Sequence, residues 1–361
     1  MGLDRLVVAG GGSGGHVFPA LAVADEMRRR GWVVSWLGRH AGIERVIVED
    51  HGVEYQGLVA EAVVGRNLMQ RSKALARLSL SAVQARAYLR RLEPQAVLGT
   101  GGYVSVPGVL GAALAGKPIV LLEPNSIAGA ANRWLSRWAS SAAVTDTAIG
   151  GELKCPVIET GVPVRREFFS EQPRPTNTGP IRVLVLGGSQ GARDLNDLLP
   201  RAIELLAFGK AQLKVLHQVG EVLLERAESA YAAHDTGEAD VEVVPFVREM
   251  QKAMASSDLI VSRAGAVTLA EICAAGRAAL LLPIDLAGSH QEANATRLAR
   301  AGGARVVDSN DLSVETLASA LGDLLGDRER LVLMGQANRN LARPEAVDRI
   351  ADLIEQAAGD G

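Results

Sequence analysis

The sequence predicts an α/β protein made of two facing doubly wound domains with a cleft between them. Short Val/Ile/Leu runs alternate with helical patterns along the whole chain: RLVVAG, VVSWLG, AVLGTG, PIVLLEP and AAVTD, then IRVLVLGG, LKVLHQVG, VEVVPF, DLIVSR, AALLLPI and ARVVD. Continuous apolar strands separated by helices belong to parallel sheets covered on both faces, where neither side of a strand meets water. The design also restarts midway. RLVVAGGGSGGH and IRVLVLGGSQGAR each read as strand, glycine loop and helix, and 361 residues suffice for two domains with a core each.

Taken in order, residues 1–164 form the first domain. TGVPVRREFFSEQPRPTNTGP follows, with Pro163, Pro173, Pro175 and Pro180, a composition that predicts an interdomain linker over 165–180. The second domain runs from 181 to 340. In 341–361 the segment PEAVDRIADLIEQAA places Val347, Ile350, Leu353 and Ile354 on one helical face. That face can pack back on either domain, with the N-terminal domain as the assigned partner. Facing sheets of this kind bring the C-terminal ends of their strands to one cleft, where doubly wound sheets bind ligands. The architecture alone names no function.

Composition removes several classes. Hydrophobic residues make up 48% and charged residues 22%, ordinary for a globular chain. A net charge of -3 gives no general pull towards nucleic acid, so anion binding has to be local. Cys155 and Cys273 are too few and too far apart for a disulfide framework or zinc site, which fits a reducing cytoplasm. No signal peptide is expected. The longest apolar stretch, VSVPGVLGAALAG, stops at Lys117-Pro118, well short of the roughly 18 residues that span a bilayer.

Three helix starts carry the chemistry. Gly10, Gly12 and Gly15 spell G-x-G-x-x-G between a strand and a helix, the dinucleotide fingerprint. Its acidic partner should end the second strand, yet Arg39 and His40 follow VVSWLG and no acid occurs between Glu26 and Glu44. Arg39 suits a 2'-phosphate, so a nicotinamide reading stays open beside a purely conformational one. The second loop, Gly187-Gly188-Ser189-Gln190-Gly191, offers backbone N–H groups at a helix start, where an anion is favoured. The third follows DLIVSR. Gly265 makes the turn, Ala266, Val267 and Thr268 begin the helix, and Glu271 is either a ribose ligand or a helix-dipole residue. Gln291 and Asn294 lie three apart, so they share a helical face and suit sugar hydroxyls or solvent equally.

GGGSGGHVFPALAVA, GTGGYVSVPG, EPNSIAGAANRWLS, TGVPVRREFF, GGSQGAR, SRAGAVTLAEICAAGRAALLLP and HQEANA occur in that order from end to end. In these stretches the chain resembles the peptidoglycan N-acetylglucosaminyltransferases, the GT-B family that converts lipid I to lipid II. The resemblance implies two Rossmann-like domains, the second binding UDP-GlcNAc and the first a lipid-linked muramoyl pentapeptide. It implies that Ser189 holds the diphosphate, the Val247 backbone reads uracil, and Glu271 takes the ribose beside the helix start at Ala266, Val267 and Thr268. Gln291 and Asn294 would contact the sugar, and Arg165 would approach the donor. In the first domain it implies ligand contacts from Ser13, Gly14, Gly15, Tyr103 and Asn125, with His16 as the proposed general base. Two neighbours depart from the family. Leu122-Glu123-Pro124-Asn125 stands where His-Glu-Gln-Asn is common, and Gly161-Val162-Pro163-Val164-Arg165 where Gly-Asn-Pro-Val-Arg is common.

The implied reaction is one inverting displacement. Histidine titrates near neutrality and can accept the acceptor's C4 hydroxyl proton, and helix N-termini with Arg165 can meet the charge of departing UDP. His290, beside Gln291, is the rival base among the other five histidines. With no Asp-x-Asp pair or His cluster, no metal and no cofactor are expected, UDP-GlcNAc being a substrate. Residues 66–92 contain seven Arg/Lys and no acid among leucines. That is either a solvated basic helix face or a dock for an anionic membrane surface, which would place the protein at the cytoplasmic face of the bacterial inner membrane. A UDP-GlcNAc 2-epimerase and a non-catalytic nucleotide-sugar sensor are the alternatives the same architecture allows.

Overall fold

The computed structural model describes residues 3–60, 68–171, 179–188, 191–206, 213–284 and 290–360. The chain divides into two compact units, residues 1–165 with 343–361 and residues 166–342.

In the first unit β1 (Arg5–Ala9) runs through the glycine loop into α1 (Gly14–Arg29), and then come β2 (Val33–Arg39), α2 (Ile43–Asp50), β3 (Glu54–Leu58), α3 (Leu68–Leu92), β4 (Ala96–Gly99), α4 (Gly102–Leu114), β5 (Ile119–Glu123), α5 (Ala130–Leu135), β6 (Ser141–Val144) and β7 (Val157–Glu159). All pairings are parallel, in the order β3-β2-β1-β4-β5-β6-β7. Val8 sits between Trp36 of β2 and Leu98 of β4. Side chains alternate across a strand, so β1 feeds two cores. Leu6 and Val8 pack with Val17, Leu21 and Met27 of α1, whereas Val7 and Ala9 pack with Ala85 and Leu89 of α3, Val109 of α4 and Leu135 of α5. The strand order reverses between β1 and β4, which opens a crevice at their C-terminal ends.

The second unit begins inside the span read as a linker. α6 (Glu167–Ser170) buries Phe168 and packs on two helices of this unit, α9 and α10 below. Residues 172–178 lie outside the described residues. Then follow β8 (Ile181–Leu186), α7 (Arg193–Glu204), β9 (Leu213–Gln218), α8 (Leu224–Ala232), β10 (Asp240–Val244), α9 (Met250–Ser256), β11 (Leu259–Ser262), α10 (Ala266–Ala275), β12 (Ala278–Leu281), α11 (His290–Arg300), β13 (Ala304–Val306), α12 (Val314–Leu325) and α13 (Arg328–Leu341). The sheet is again parallel, ordered β10-β9-β8-β11-β12-β13, with its reversal between β8 and β11.

α14 (Ala346–Gly359) returns to the first unit and buries Val347, Ile350 and Ile354 against α1, β4 and β5. Arg30 fixes it there. Its Nη1 donates to Asp352 and to Glu355, each at 2.7 Å, while its Nε donates to buried Glu26 at 2.9 Å.

β3 and β7 correspond to none of the apolar runs. Each is an outer strand of its sheet. EYQGL and VIE are accordingly only partly buried.

Candidate active site

In the first unit the glycine loop is shaped by what touches it. A Cβ on Gly10 would stand 1.7 Å from Thr100 Oγ1, so no other residue lets β1 turn there beside β4. Gly12, at φ +90°, donates its N–H to Glu44 Oε2 at 3.2 Å, and Arg39 donates its own to Oε1 at 3.0 Å. Glu44 is fully buried. Its carboxylate therefore ties the loop after β1 to the end of β2. Sequence reading passed over it because the dinucleotide fingerprint expects its acid on the strand end, and this one comes from α2.

Ser13 caps α1 without a side-chain bond to the helix. Gly14 and Gly15 form the first turn, whose N–H groups no helix can satisfy internally. His16 follows on the same turn. Its Nε2 lies 2.9 Å from the position a Cβ on Gly102 would take, so the glycine at φ +66° makes room for the ring. Its Nδ1 is buried with no hydrogen-bond partner among the described residues. Burial holds the imidazole below its ordinary pKa of 6.5, while the Glu123 carboxylate and the Thr100 backbone pull it back up.

Glu123, at the end of β5, is itself buried. Its Oε1 accepts from Asn125 N at 3.1 Å and Nδ2 at 2.9 Å, and its Oε2 accepts from Gly129 N at 2.8 Å and Asn132 Nδ2 at 3.0 Å. Asn125 is thus oriented by a carboxylate that also biases His16. Tyr103, partly exposed, accepts from Arg39 Nη1 at 3.2 Å. The guanidinium of Arg165 stands 5.7 Å over the Phe18 ring, in this same unit. Leu122 faces the α1 side of the core, so an apolar side chain suits that departure from the family; Val162 is likewise buried.

In the second unit Ser189 and Gln190 lie outside the described residues, but their loop is visible on both sides. Gly188 is at φ +81° and Gly191 at φ +75°. A Cβ on Gly191 would come 2.1 Å from the Val219 carbonyl. Gln218, buried at the end of β9, donates Nε2 to the Gly188 carbonyl at 3.3 Å and accepts the Val247 N–H on Oε1 at 2.9 Å. One amide thereby joins the glycine loop to the loop after β10. Phe246, next to Val247, is half exposed and offers a flat apolar face beside that backbone. Neither Gln218 nor Phe246 was singled out in the sequence, although an amide ending a strand beside Gly220 was visible in HQVG.

Gly265 caps α10 from the extended region, with Ala266, Val267 and Thr268 in its first turn and Glu271 partly exposed on the second. Gln291 and Asn294 do share a face of α11, and both bond the backbone of Ala264, with Gln291 also holding Ile284. Gln291 Oε1 accepts from the N–H of Ala264 at 3.2 Å and of Ile284 at 3.3 Å; Asn294 Nδ2 donates to the Ala264 carbonyl at 3.2 Å. Arg263 bonds both oxygens of Asp194 at the start of α7 and the Leu282 carbonyl at 2.8 Å. These contacts fix the helix start at α10 from the β12 side and the α7 side.

The other histidines sit elsewhere. His217 is buried in β9 against Tyr231 Oη at 3.0 Å, and burial pushes its pKa down to about 3. His51 and His234 bond Ile47 and Glu204. His40 packs on Gly57, and His290 opens α11 with its Nδ1 buried.

Both halves match family models: the glycosyltransferase family 28 N-terminal domain over residues 6–144 and the glycosyltransferase family 28 C-terminal domain over 182–353. A relative from Halorhodospira halophila, the UDP-N-acetylglucosamine--N-acetylmuramyl-(pentapeptide) pyrophosphoryl-undecaprenol N-acetylglucosamine transferase, is 43% identical over 99% of this chain and 99% of its own. The crystal structure of Acinetobacter baumannii MurG superposes with a TM-score of 0.78 at 32% identity, covering 98% of this chain and 100% of that one. A Listeria monocytogenes structure titled a putative UDP-N-acetylglucosamine 2-epimerase, at TM-score 0.71 and 13% identity over 100% of this chain and 98% of that one, shares the fold alone. Two parallel doubly wound sheets, both domain models in order and full-length identity with a transferase show that the chain belongs to glycosyltransferase family 28.

Proposed function

We propose that this protein transfers N-acetylglucosamine from UDP-GlcNAc to the C4 hydroxyl of the muramoyl sugar in undecaprenyl-diphosphate-linked muramoyl pentapeptide, releasing UDP. Full-length identity of 43% with a transferase named for these substrates carries the reading. The second unit takes the donor. The glycine loop with Ser189 and the α10 start at Ala266, Val267 and Thr268 meet the diphosphate, because N–H groups at helix starts favour anions. The Val247 backbone reads the uracil, Glu271 binds the ribose, and Gln291 and Asn294 contact the sugar. The first unit takes the acceptor through Ser13, Gly14, Gly15, Tyr103 and Asn125.

His16 is the base. The acceptor oxygen attacks the anomeric carbon from the face opposite UDP, the new C–O bond forms as the bond to the β-phosphate oxygen breaks, and the hydroxyl proton passes to the imidazole. Desolvation of the half-buried imidazole favours its neutral form, the form that can accept it. Arg165 supplies a cation for diphosphate, and the step uses no metal. Membrane docking belongs to the face carrying α3, α4 and α5. Residues 66–92 bring seven basic residues and no acid, Leu80 and Val83 of α3 are exposed, and so are Trp134 and Trp138, with Arg137 against both rings. Tryptophan, leucine and cations together suit an anionic bilayer interface, here the cytoplasmic face of the inner membrane.

Transfer of labelled GlcNAc from UDP-GlcNAc into a lipid I analogue, with and without EDTA, tests the reading. Labelled product with one UDP released per transfer, undiminished by EDTA, is expected. UDP-ManNAc appearing without acceptor points to an epimerase instead, and donor binding without UDP release to a sensor.

A further inference from the structure

We propose that a groove beside β3 is the subsite for the peptide arm of the lipid-linked acceptor, with Arg91 taking a peptide carboxylate; the proposal rests on the acceptor reading above. The groove encloses about 500 Å³ between β3 and α3. Gln84, Tyr88 and Arg91 line it from α3, Gln56 and Gly57 from within β3, and His40 from just after β2. The α3 residues fall at the i, i+4, i+7 spacing of one helical stripe. No acidic side chain lines it among the described residues.

The polar wall groups suit a peptide with a free carboxylate: an amide-lined wall alone would not distinguish a peptide from a sugar, and a lipid tail would not satisfy these groups. Amide side chains at Gln56 and Gln84 can both donate and accept, as peptide bonds require. The Arg91 guanidinium stands 5.6 Å over the Tyr88 ring, an arrangement that stabilises the cation and orients its planar fork for a carboxylate. β3 is the outermost strand, paired only to β2 among the described residues. At about 3.3 Å per residue an extended peptide of five residues reaches about 17 Å, the length of the five-residue strand it would follow.

The groove also adjoins the acceptor loop. His40, at its upper end, directly follows Arg39. Arg39 bonds the Tyr103 hydroxyl through its side chain and Glu44 through its N–H, and Glu44 holds Gly12. Glu44 and Arg39 thus link the Gly12–Gly15 turn, assigned to the muramoyl diphosphate, to His40 at the groove.

The full chain is assayed for transfer to two short-lipid acceptor analogues, one bearing the pentapeptide and one lacking the peptide. In Arg91→Gln the KM for the pentapeptide acceptor rises about tenfold, the loss of one charge-assisted carboxylate bond, with kcat within about twofold. Arg91→Lys restores part of it, and the KM for the peptide-free acceptor and for UDP-GlcNAc stays at the unsubstituted value. An equal rise for both acceptors, or none for either, overturns the subsite while leaving the transferase reading intact. Transfer to neither acceptor by the unsubstituted protein overturns that reading and the subsite with it.

Discussion

Gln218 accepts the Val247 N–H at 2.9 Å while donating to the Gly188 carbonyl at 3.3 Å. The backbone assigned to the base and the loop assigned to the diphosphate are thus set by one buried amide. Gln218→Leu keeps the volume and removes both bonds. Donor KM is expected to rise about tenfold, equivalent to about 1.4 kcal/mol, with a smaller change in kcat. Steady-state kinetics against UDP-GlcNAc checks it; an unchanged KM means the two loops hold their shape without Gln218.

Glu44 plays the matching part in the first unit. Glu44→Ala leaves the Gly12 and Arg39 N–H groups buried without their acceptor, and bonds to a charged group are worth about 1.5–3 kcal/mol each. Acceptor KM should rise and unfolding free energy should fall by a few kcal/mol. Glu44→Gln, which keeps one acceptor oxygen, should recover part of both. Chemical denaturation and acceptor titration read the two effects separately.

As the proposed base, His16 is expected to set the acidic limb of the rate profile. Burial disfavours its protonated form, and a base works only when unprotonated, so activity should persist below pH 6.5, the ordinary histidine value. The limb of kcat/KM is expected below that pH, and His16→Ala should lower kcat by about 10²-fold or more. Full turnover in His16→Ala rules out the assignment.

His217 makes the protein acid-sensitive for a different reason. Its folded pKa is depressed to about 3, so between pH 6.5 and about 3 the unfolded chain binds a proton that the folded chain does not. Stability contributed by the neutral ring is complete above about 6.5 and declines as pH falls, by up to about 1.4 kcal/mol per unit. Unfolding free energies at pH 7, 6 and 5 should fall less steeply in His217→Gln. Identical slopes exclude this source.

Arg30→Met cuts the contacts of α1 to Asp352 and Glu355 on α14 and strips buried Glu26 of one of its two cations, Arg29 being the other. Breaking a buried ion pair by removing one partner costs about 3–5 kcal/mol, and the exposure of Asp352 and Glu355 places this loss below that range. A thermal unfolding midpoint equal to the parent's would show that apolar packing alone holds α14.

Central strands were readable because burial on both faces leaves them as unbroken apolar runs, as in LVVA and IVLL. β3 and β7 were not: EYQGL interleaves polar residues and glycine and VIE is three residues long, whereas the outer strands β10 and β13 fall on the runs VEVVPF and ARVVD. The three helix starts were readable too, each from glycines between an apolar run and a helical pattern; at Gly12, Gly188 and Gly191 the positive φ favours glycine over any other residue. The groove beside β3 was invisible because its walls come from β3, α3 and the position just after β2, which are apart in the chain. Gln218, Glu44 and Glu123 were passed over because each acts on a residue distant in sequence: Glu44 lies 32 positions from Gly12 and Gln218 lies 29 from Val247.

The sequence by itself determined the α/β class, the restart of the design at residue 181, the glycine-loop helix starts and the family, because these depend on local periodicity and on motifs contiguous along the chain. Tertiary structure alone decided that Gln291 and Asn294 converge on the backbone of Ala264, that Arg165 lies over Phe18, and that His16 packs half-buried beside Gly102 within the field of Glu123. Parallel strands joined by crossover helices bring residues tens to hundreds of positions apart to one sheet edge. Desolvation and hydrogen bonding act across those distances in space, and chain order does not encode them.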